Sequence, residues 1–467
     1  MAQFASAQPD ILRAFLGQAW SILRLAIPVT CTRAGLVIMM TVDTAIVGRA
    51  GTVELANFGI SLPPQTVAFV IMVVLLSSAG VLISQAKGAG ELRQCGRIWR
   101  IGLAVGFLAA SLVGAMLLPS ERLLLALGQT PELATAGGVA VRIWAASLPG
   151  MALYAGTTIF LEAIGRPIVG LVIVILGNLV NAALCWILVY GHAGAPELGA
   201  MGAALATAAT RWLMAATAIG YAITMADARQ LGVFDRIGRP WPVVAKILRL
   251  GLPLSIAGGV ETLSFFALAT YAGWLGPAIL AAYQISLNIM TTVYMVSIGV
   301  SVATSVHVGL AVGRGDRRGI AIAGWSGTAV IVALTGLAGL VFGLLAGPIV
   351  TTYTDDAVVV AMVLAAVGII CCNFVVDGLQ AVLLNAARGV ADVIVPTIMF
   401  VLSFPFVMAP LGYWLGPQGG MHALVGGDPT AAAVAGLLWS AFAGLSLASL
   451  LVALRFAVLT GRPPKRI

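Results

Sequence analysis

Three carboxylates, Asp43, Glu261 and Asp377, stand well inside long apolar runs of the chain. A bare carboxylate costs several kcal/mol in hydrocarbon, about 2.5–3.5 by insertion scales, so such a residue marks an ion or substrate path by default. Asn373, Asp377 and Gln380 share one helical face by i, i+4 and i+3 spacing. Gln284, Asn288 and Thr291 share another, and Asn178, Asn181 and Cys185 form a third cluster. Two carboxylates with amide oxygens nearby suit a hard cation, which points to sodium at Glu261 and Asp377. The competing reading is that one carboxylate takes a proton, which burial and a neighbouring negative charge both favour. A third reading treats each acid as a hydrogen-bonded lock on helix packing and each amide as helix glue.

These residues must be positioned by membrane helices. The chain has 467 residues, 60% of them hydrophobic and only 9% charged. Soluble domains carry about 25% charged residues. At about 20 residues per crossing, twelve helices use up the length, leaving no large soluble domain. We read spans near 25–48, 54–85, 98–119, 137–162, 167–190 and 200–225, then 249–273, 277–307, 320–346, 358–385, 393–415 and 430–457. Along them Asp43 lies about 27 Å from Leu25, in the outer half, and Glu261 about 18 Å from Arg249, near mid-membrane. Residues 1–23, with Leu12, Phe15, Leu16, Ala19 and Trp20 at helical spacing, read as an amphipathic helix lying on the membrane rather than as a cleavable signal.

The first half repeats in the second. Leu23–Glu91 lies without a gap on Leu248–Asp316, so that Pro28 falls on Pro253, Gly51 on Gly276 and Gly88-x-Gly90 on Gly313-x-Gly315. The matches gather at prolines, glycines and helix ends, where backbone geometry is decided. Asp43 aligns with Leu268 and Glu261 with Leu36, so a shared fold requires neither acid. Two six-helix lobes follow, 24–225 and 249–457, with a linker at 226–248 and a basic tail at 458–467. With six spans each, they have the same orientation, and a cleft near the bilayer midplane is the usual substrate site of such repeats.

The net charge of +8 reports topology, not a nucleic-acid partner. Twenty of the Lys and Arg residues fall on one face, including Lys87, Arg97, Arg100, Arg166, Arg239 and Arg388, against Arg49, Arg122 and Arg142 on the other. The positive-inside rule makes the first face cytoplasmic, with both termini on it. Arg33 and Arg211 alone lie inside spans, paired with acids or carbonyls or snorkelling. The five cysteines suggest no structural disulfide. His192, His307 and His422 have no convergent ligands, and Pro28, Pro149, Pro253, Pro396 and Pro405 are expected to kink their helices.

Several motifs go further. Val42-Asp43-Thr44 with Val47-Gly48-Arg49-x-Gly51 resembles the opening signature of the multidrug and toxic-compound extrusion (MATE) family. So does Ala281-Ala282-x-Gln284-Ile285-x-Leu287-Asn288, running on to Val308-Gly309 and Gly313-x-Gly315-Asp316. Glu261, and Asp377-x-x-Gln380 ahead of Arg388-Gly389, resemble its NorM-like branch. The resemblance covers essentially the whole chain. It implies an all-α integral membrane fold of twelve transmembrane helices in two pseudo-symmetric six-helix lobes, forming a V open to one side. It also implies export of organic cations in exchange for sodium ions or protons. The chain departs from that pattern at Cys185, where the family commonly has Asn or Asp, and at Asn373, often an aromatic hydroxyl in this branch.

The resulting expectation is a secondary antiporter in the bacterial inner membrane, a monomer among lipids, with no cofactor beyond the coupling ion. The organic cation would bind near Asp43, Glu261 and Asp377, with Asn181, Asn373, Gln284, Asn288 and Gln380 around them and Phe265, Met290, Tyr294 and Met295 as cleft walls. No G-x-x-x-x-G-K-[ST] loop and no Ser/His/Asp constellation is present, which removes direct use of ATP and enzymatic catalysis from the reading. The rivals are a lipid-linked oligosaccharide flippase of related fold, which would want a strongly cationic cleft, and an ion channel, which lacks a repeated filter loop here.

Overall fold

The computed structural model describes residues 8–126, 128–426 and 428–461. Among them every regular element is a helix: α1 Gln8–Ala50, α2 Thr52–Gly88, α3 Leu92–Met116, α4 Ser120–Ala126, α5 Pro131–Ala163, α6 Pro167–Tyr190 and α7 Gly199–Thr224. The second half runs α8 Trp241–Leu275, α9 Pro277–Arg314, α10 Arg317–Thr351, α11 Ala357–Ala365, α12 Val367–Gly389, α13 Ile394–Ser403, α14 Ala409–Leu415, α15 Gly420–Val425 and α16 Pro429–Thr460. The architecture is an all-α, twelve-helix membrane fold. Eleven helices among the described residues are long and apolar enough to cross a membrane on composition alone, counting α13 and α14 as one span. The sixth span, α7, is the exception: alanine-rich, it carries Thr207, Thr210 and Arg211 and buries all three.

Pro and Gly punctuate the helices as their backbone chemistry requires. Proline opens α5, α6, α9 and α16, where a missing N–H costs nothing. Gly51 and Gly276 join the first two spans of each half at φ 140° and 124°, which only glycine adopts without strain. Asp316 caps α10, its carboxylate accepting from Gly319 N. Two expected spans are broken. The tenth divides at Ala366 into α11 and α12. The eleventh carries a wide π turn at Phe404–Met408, where Pro405 withholds a donor from the regular ladder. The described residues of the N-terminal segment are continuous with the first span as α1, rather than a separate surface helix. Arg462, Lys465 and Arg466 of the basic tail lie outside the described residues.

The described residues form two compact units, one within 31–255 and the other from 8–30 with 256–461. The cuts at Thr30/Cys31 and Ser255/Ile256 are related by the sequence repeat, and each comes two residues after a proline within its helix, Pro28 or Pro253. Residues 24–30 therefore pack with the second half, and 249–255 with the first. Ile22 and Ala26 are buried among Val300, Ala303, Ile331 and Val382. In the unit 31–255, α5 packs on α2, α3 and α7 and is buried along most of its length. In the other unit α12 has that place, against α9, α10 and α16.

The segment at 226–248 is docked within the first-half unit. Leu231 O accepts from Gly96 N at 2.8 Å, Arg97 Nη2 donates to Arg239 O at 2.8 Å, and Arg100 Nη2 donates to Asp235 O.

Candidate cation sites

In the first-half unit, α1 carries Asp43 to a fully buried position. Asn181 Nδ2 on α6 donates to its Oδ1 at 2.5 Å, and Thr207 Oγ1 on α7 meets its Oδ2 at 2.6 Å. Cys185, one turn beyond Asn181, faces the same carboxylate. Asn181 Oδ1 is buried with no hydrogen-bond partner, so an unused acceptor lies beside the acid. Thr207 Oγ1 also lies 3.0 Å from Ala203 O. Its single proton can serve one acceptor at a time, so this contact can accommodate either protonation state of Asp43. The repeat partner Leu268 is fully buried in apolar core, so the two halves use the equivalent position for opposite purposes.

Both intramembrane arginines are compensated. Arg33 Nη2 pairs with Glu162 at 3.2 and 3.3 Å, both side chains largely buried. Arg211 donates to Ser147 Oγ at 3.0 Å and lies over the Trp144 ring.

In the second-half unit, Glu261 on α8 and Asp377 on α12 are partly exposed and within electrostatic reach of one another. Gln380, one turn beyond Asp377, donates from Nε2 to Glu261 Oε1 at 3.4 Å, while its own Oε1 is buried without a partner. Tyr294 on α9 lies within electrostatic reach of both acids and of Arg388. The result is two carboxylates, an amide oxygen and a phenol on three helices of one unit. Such a set can hold a hard cation or a proton.

The other named residues are placed differently. Asn373 is fully buried, its Nδ2 donating to Ile369 O at 2.9 Å and Leu438 O at 3.2 Å, which ties α12 to α16. Gln284 and Asn288 are exposed on α9, and Asn288 Oδ1 accepts from Tyr353 at 3.0 Å. Met290 is buried in the apolar core. Phe265 is half-buried against that core, and Met295 is half-buried on α9. Among the described residues no three His, Cys, Asp or Glu side chains gather as a ligand cluster for a metal ion, and none of the five cysteines is in a disulfide.

Sequence reasoning missed two polar partners. Glu162 ends the fourth span and looks like a boundary acid; the signal was Arg33, which needs a counter-charge at the same depth. Thr207 is a small hydroxyl in an alanine-rich helix, and nothing in its spacing singles it out.

The family model MatE matches residues 28–187 and again 253–414. The two matches begin at Pro28 and Pro253, which the repeat superposes. This chain belongs to the MATE family. It is a transporter, not an enzyme. The MATE chain is 34% identical over 405 residues to a probable multidrug resistance protein NorM of Caulobacter vibrioides, covering 86% of this chain and 85% of that protein. It is 32% identical to the multidrug resistance protein NorM of Burkholderia vietnamiensis, covering 98% and 97%. A Vibrio cholerae MATE transporter in its bent form shares the fold at TM-score 0.83 and 18% identity, covering 96% of this chain and 98% of that one. A multi-pass membrane location follows from the apolar helices and the family.

Proposed function

We propose that this MATE protein is a secondary antiporter of the bacterial inner membrane that exports organic cations, drugs among them, in exchange for Na+ or H+. The observation that carries the reading is the pairing of Glu261 and Asp377, two intramembrane carboxylates within electrostatic reach of one another and of Tyr294, with Gln380 donating to Glu261, all within one unit. A carboxylate pair in low dielectric attracts a cation strongly, and it cannot hold an organic cation and a coupling ion at full strength together. Competition for the same negative charge links the two fluxes. Direction then requires that the coupling ion bind one conformation of an alternating-access cycle better than the other. The names of the relatives, multidrug resistance proteins, support the substrate class. A diphosphate flippase would need uncompensated cations at this depth, whereas Arg33 is already paired with Glu162.

The test is purified protein in proteoliposomes with ethidium as probe and Na+ or pH gradients imposed separately. Glu261→Gln and Asp377→Asn should each abolish gradient-driven transport while leaving the protein folded. Wild-type transport in Asp377→Asn would remove that residue from the mechanism.

A further inference from the structure

Arg211 follows Thr207 by one helical turn on α7, so both side chains leave the helix on the same face. Thr207 is the residue whose hydroxyl meets Asp43. The Arg211 guanidinium is 7% exposed and clamped from α5. Ser147 Oγ accepts one of its N–H groups at 3.0 Å, and its central carbon lies 4.7 Å from the centre of the Trp144 ring. Trp144 is held in turn, its indole N–H donating to Ser61 Oγ at 3.1 Å. A guanidinium stays charged in any protein setting, and a buried charge is tolerated only when another charge or fixed dipoles compensate it.

Asp43, whose Oδ2 meets Thr207 one turn away on the same helix face, is the carboxylate within electrostatic reach of this guanidinium. The two charges interact through space without forming a direct ion pair among the described residues. Stripped of Arg211, the surroundings of Asp43 would be one negative charge, the Thr207 hydroxyl, the Asn181 amide with its unpartnered Oδ1, and the Cys185 thiol. The oxygens among them suit a hard cation. With Arg211 in place the formal charge of the group is zero.

We infer that Arg211 is a built-in counter-cation that keeps free alkali ions off Asp43 and so confines metal-ion binding to the second-half carboxylates. The exclusion stands on the geometry of the first-half unit alone; the confinement rests on the proposed role of Glu261 and Asp377. Arg211 acts here as a specificity-determining residue. It holds by tether the place that an exchangeable cation would otherwise take.

The experiment uses the full chain carrying Glu261→Gln and Asp377→Asn, so that the result does not depend on whether those carboxylates are the exchange site. Thermal melting is followed as Na+ replaces choline at constant ionic strength, and retention of radioactive Na+ is measured alongside. With Arg211 intact, neither the melting temperature nor retention should respond to Na+. Arg211→Met or Arg211→Gln should produce a saturable Na+-dependent rise in both, abolished by Asp43→Asn. Arg211→Lys, which keeps the charge, should stay unresponsive. An Asp43-dependent Na+ response with Arg211 intact overturns the inference, and so does a folded Arg211→Met protein that still ignores Na+. If removal of Arg211 alone prevents folding, the Asp43→Asn/Arg211→Met combination decides. Recovery of the fold supports mutual compensation, and continued loss contradicts it.

Discussion

Asp43 is held by two short hydrogen bonds inside one unit, whereas Glu261 has a single long one and both it and Asp377 are partly exposed. An acid already saturated by neutral donors and a nearby guanidinium has little attraction left for a visitor. In the proposed mechanism the less hydrogen-bonded Glu261–Asp377 pair is the one that attracts the visiting cation. The compensated arginines give a stability prediction. Removing one partner of a buried ion pair leaves an unpaired charge, at a cost of about 3–5 kcal/mol. Glu162→Ala should therefore lower the melting temperature in detergent far more than the Arg33→Met/Glu162→Ala combination; equal losses would show that the pair is not coupled. At this scale the sequence revealed the three acids because charge in an apolar run is conspicuous. It did not reveal which amides face a site. Asn373 and Asn181 look alike in a helical stripe, yet one ties α12 to α16 and the other contacts a carboxylate. Met290 has the spacing of a wall residue and is packed in the core, because a flexible thioether fits either place.

Among the elements, helix ends were the most legible and helix interiors the least. Gly51, Gly276 and the opening prolines could be read from backbone chemistry, since few residues substitute for them. The π turn at Phe404–Met408 could not, because Pro405 allows a kink, a break or a widened turn and tertiary packing selects among them. The segment at 226–248 reads as a linker because it is polar and contains Pro240 and Pro242. Its docking depends on main-chain carbonyls that no sequence pattern displays. Gly232, at φ 70°, approaches Arg93 O so closely that an added Cβ would stand 2.2 Å from it. Gly232→Val should therefore undock the segment and speed tryptic cleavage at Arg229 and Arg236 several-fold, while Gly238→Val, with only the distant Arg97 side chain at 3.8 Å, should have a smaller effect. Equal cleavage rates would mean that the contacts at Gly96 and Arg100 do not restrain it.

For the whole molecule, the repeat was the strongest signal, and it persists in the fold. The family model begins both of its matches at repeat-related prolines, and the boundary between the compact units falls just beyond each. The sequence halves and the packed units nevertheless differ, since the heads of α1 and α8 join the opposite half. Apolar side chains carry no label for the half they pack against, so the exchange was not visible beforehand. The charge asymmetry adds a topological expectation. A cysteine introduced at Arg229 should react with an impermeant maleimide only from the cytoplasm, and one at Asp355 only from outside; the reverse would invert the assignment of faces.

The most direct test of the account is ethidium transport by purified protein in proteoliposomes, with a Na+ gradient or a pH gradient imposed alone. At least one gradient should drive transport against the ethidium gradient, and Glu261→Gln and Asp377→Asn should each reduce that transport to the level of empty vesicles. Undiminished gradient-driven transport in both variants, or wild-type transport indifferent to both gradients, would contradict the claim that two cations take turns on this carboxylate pair.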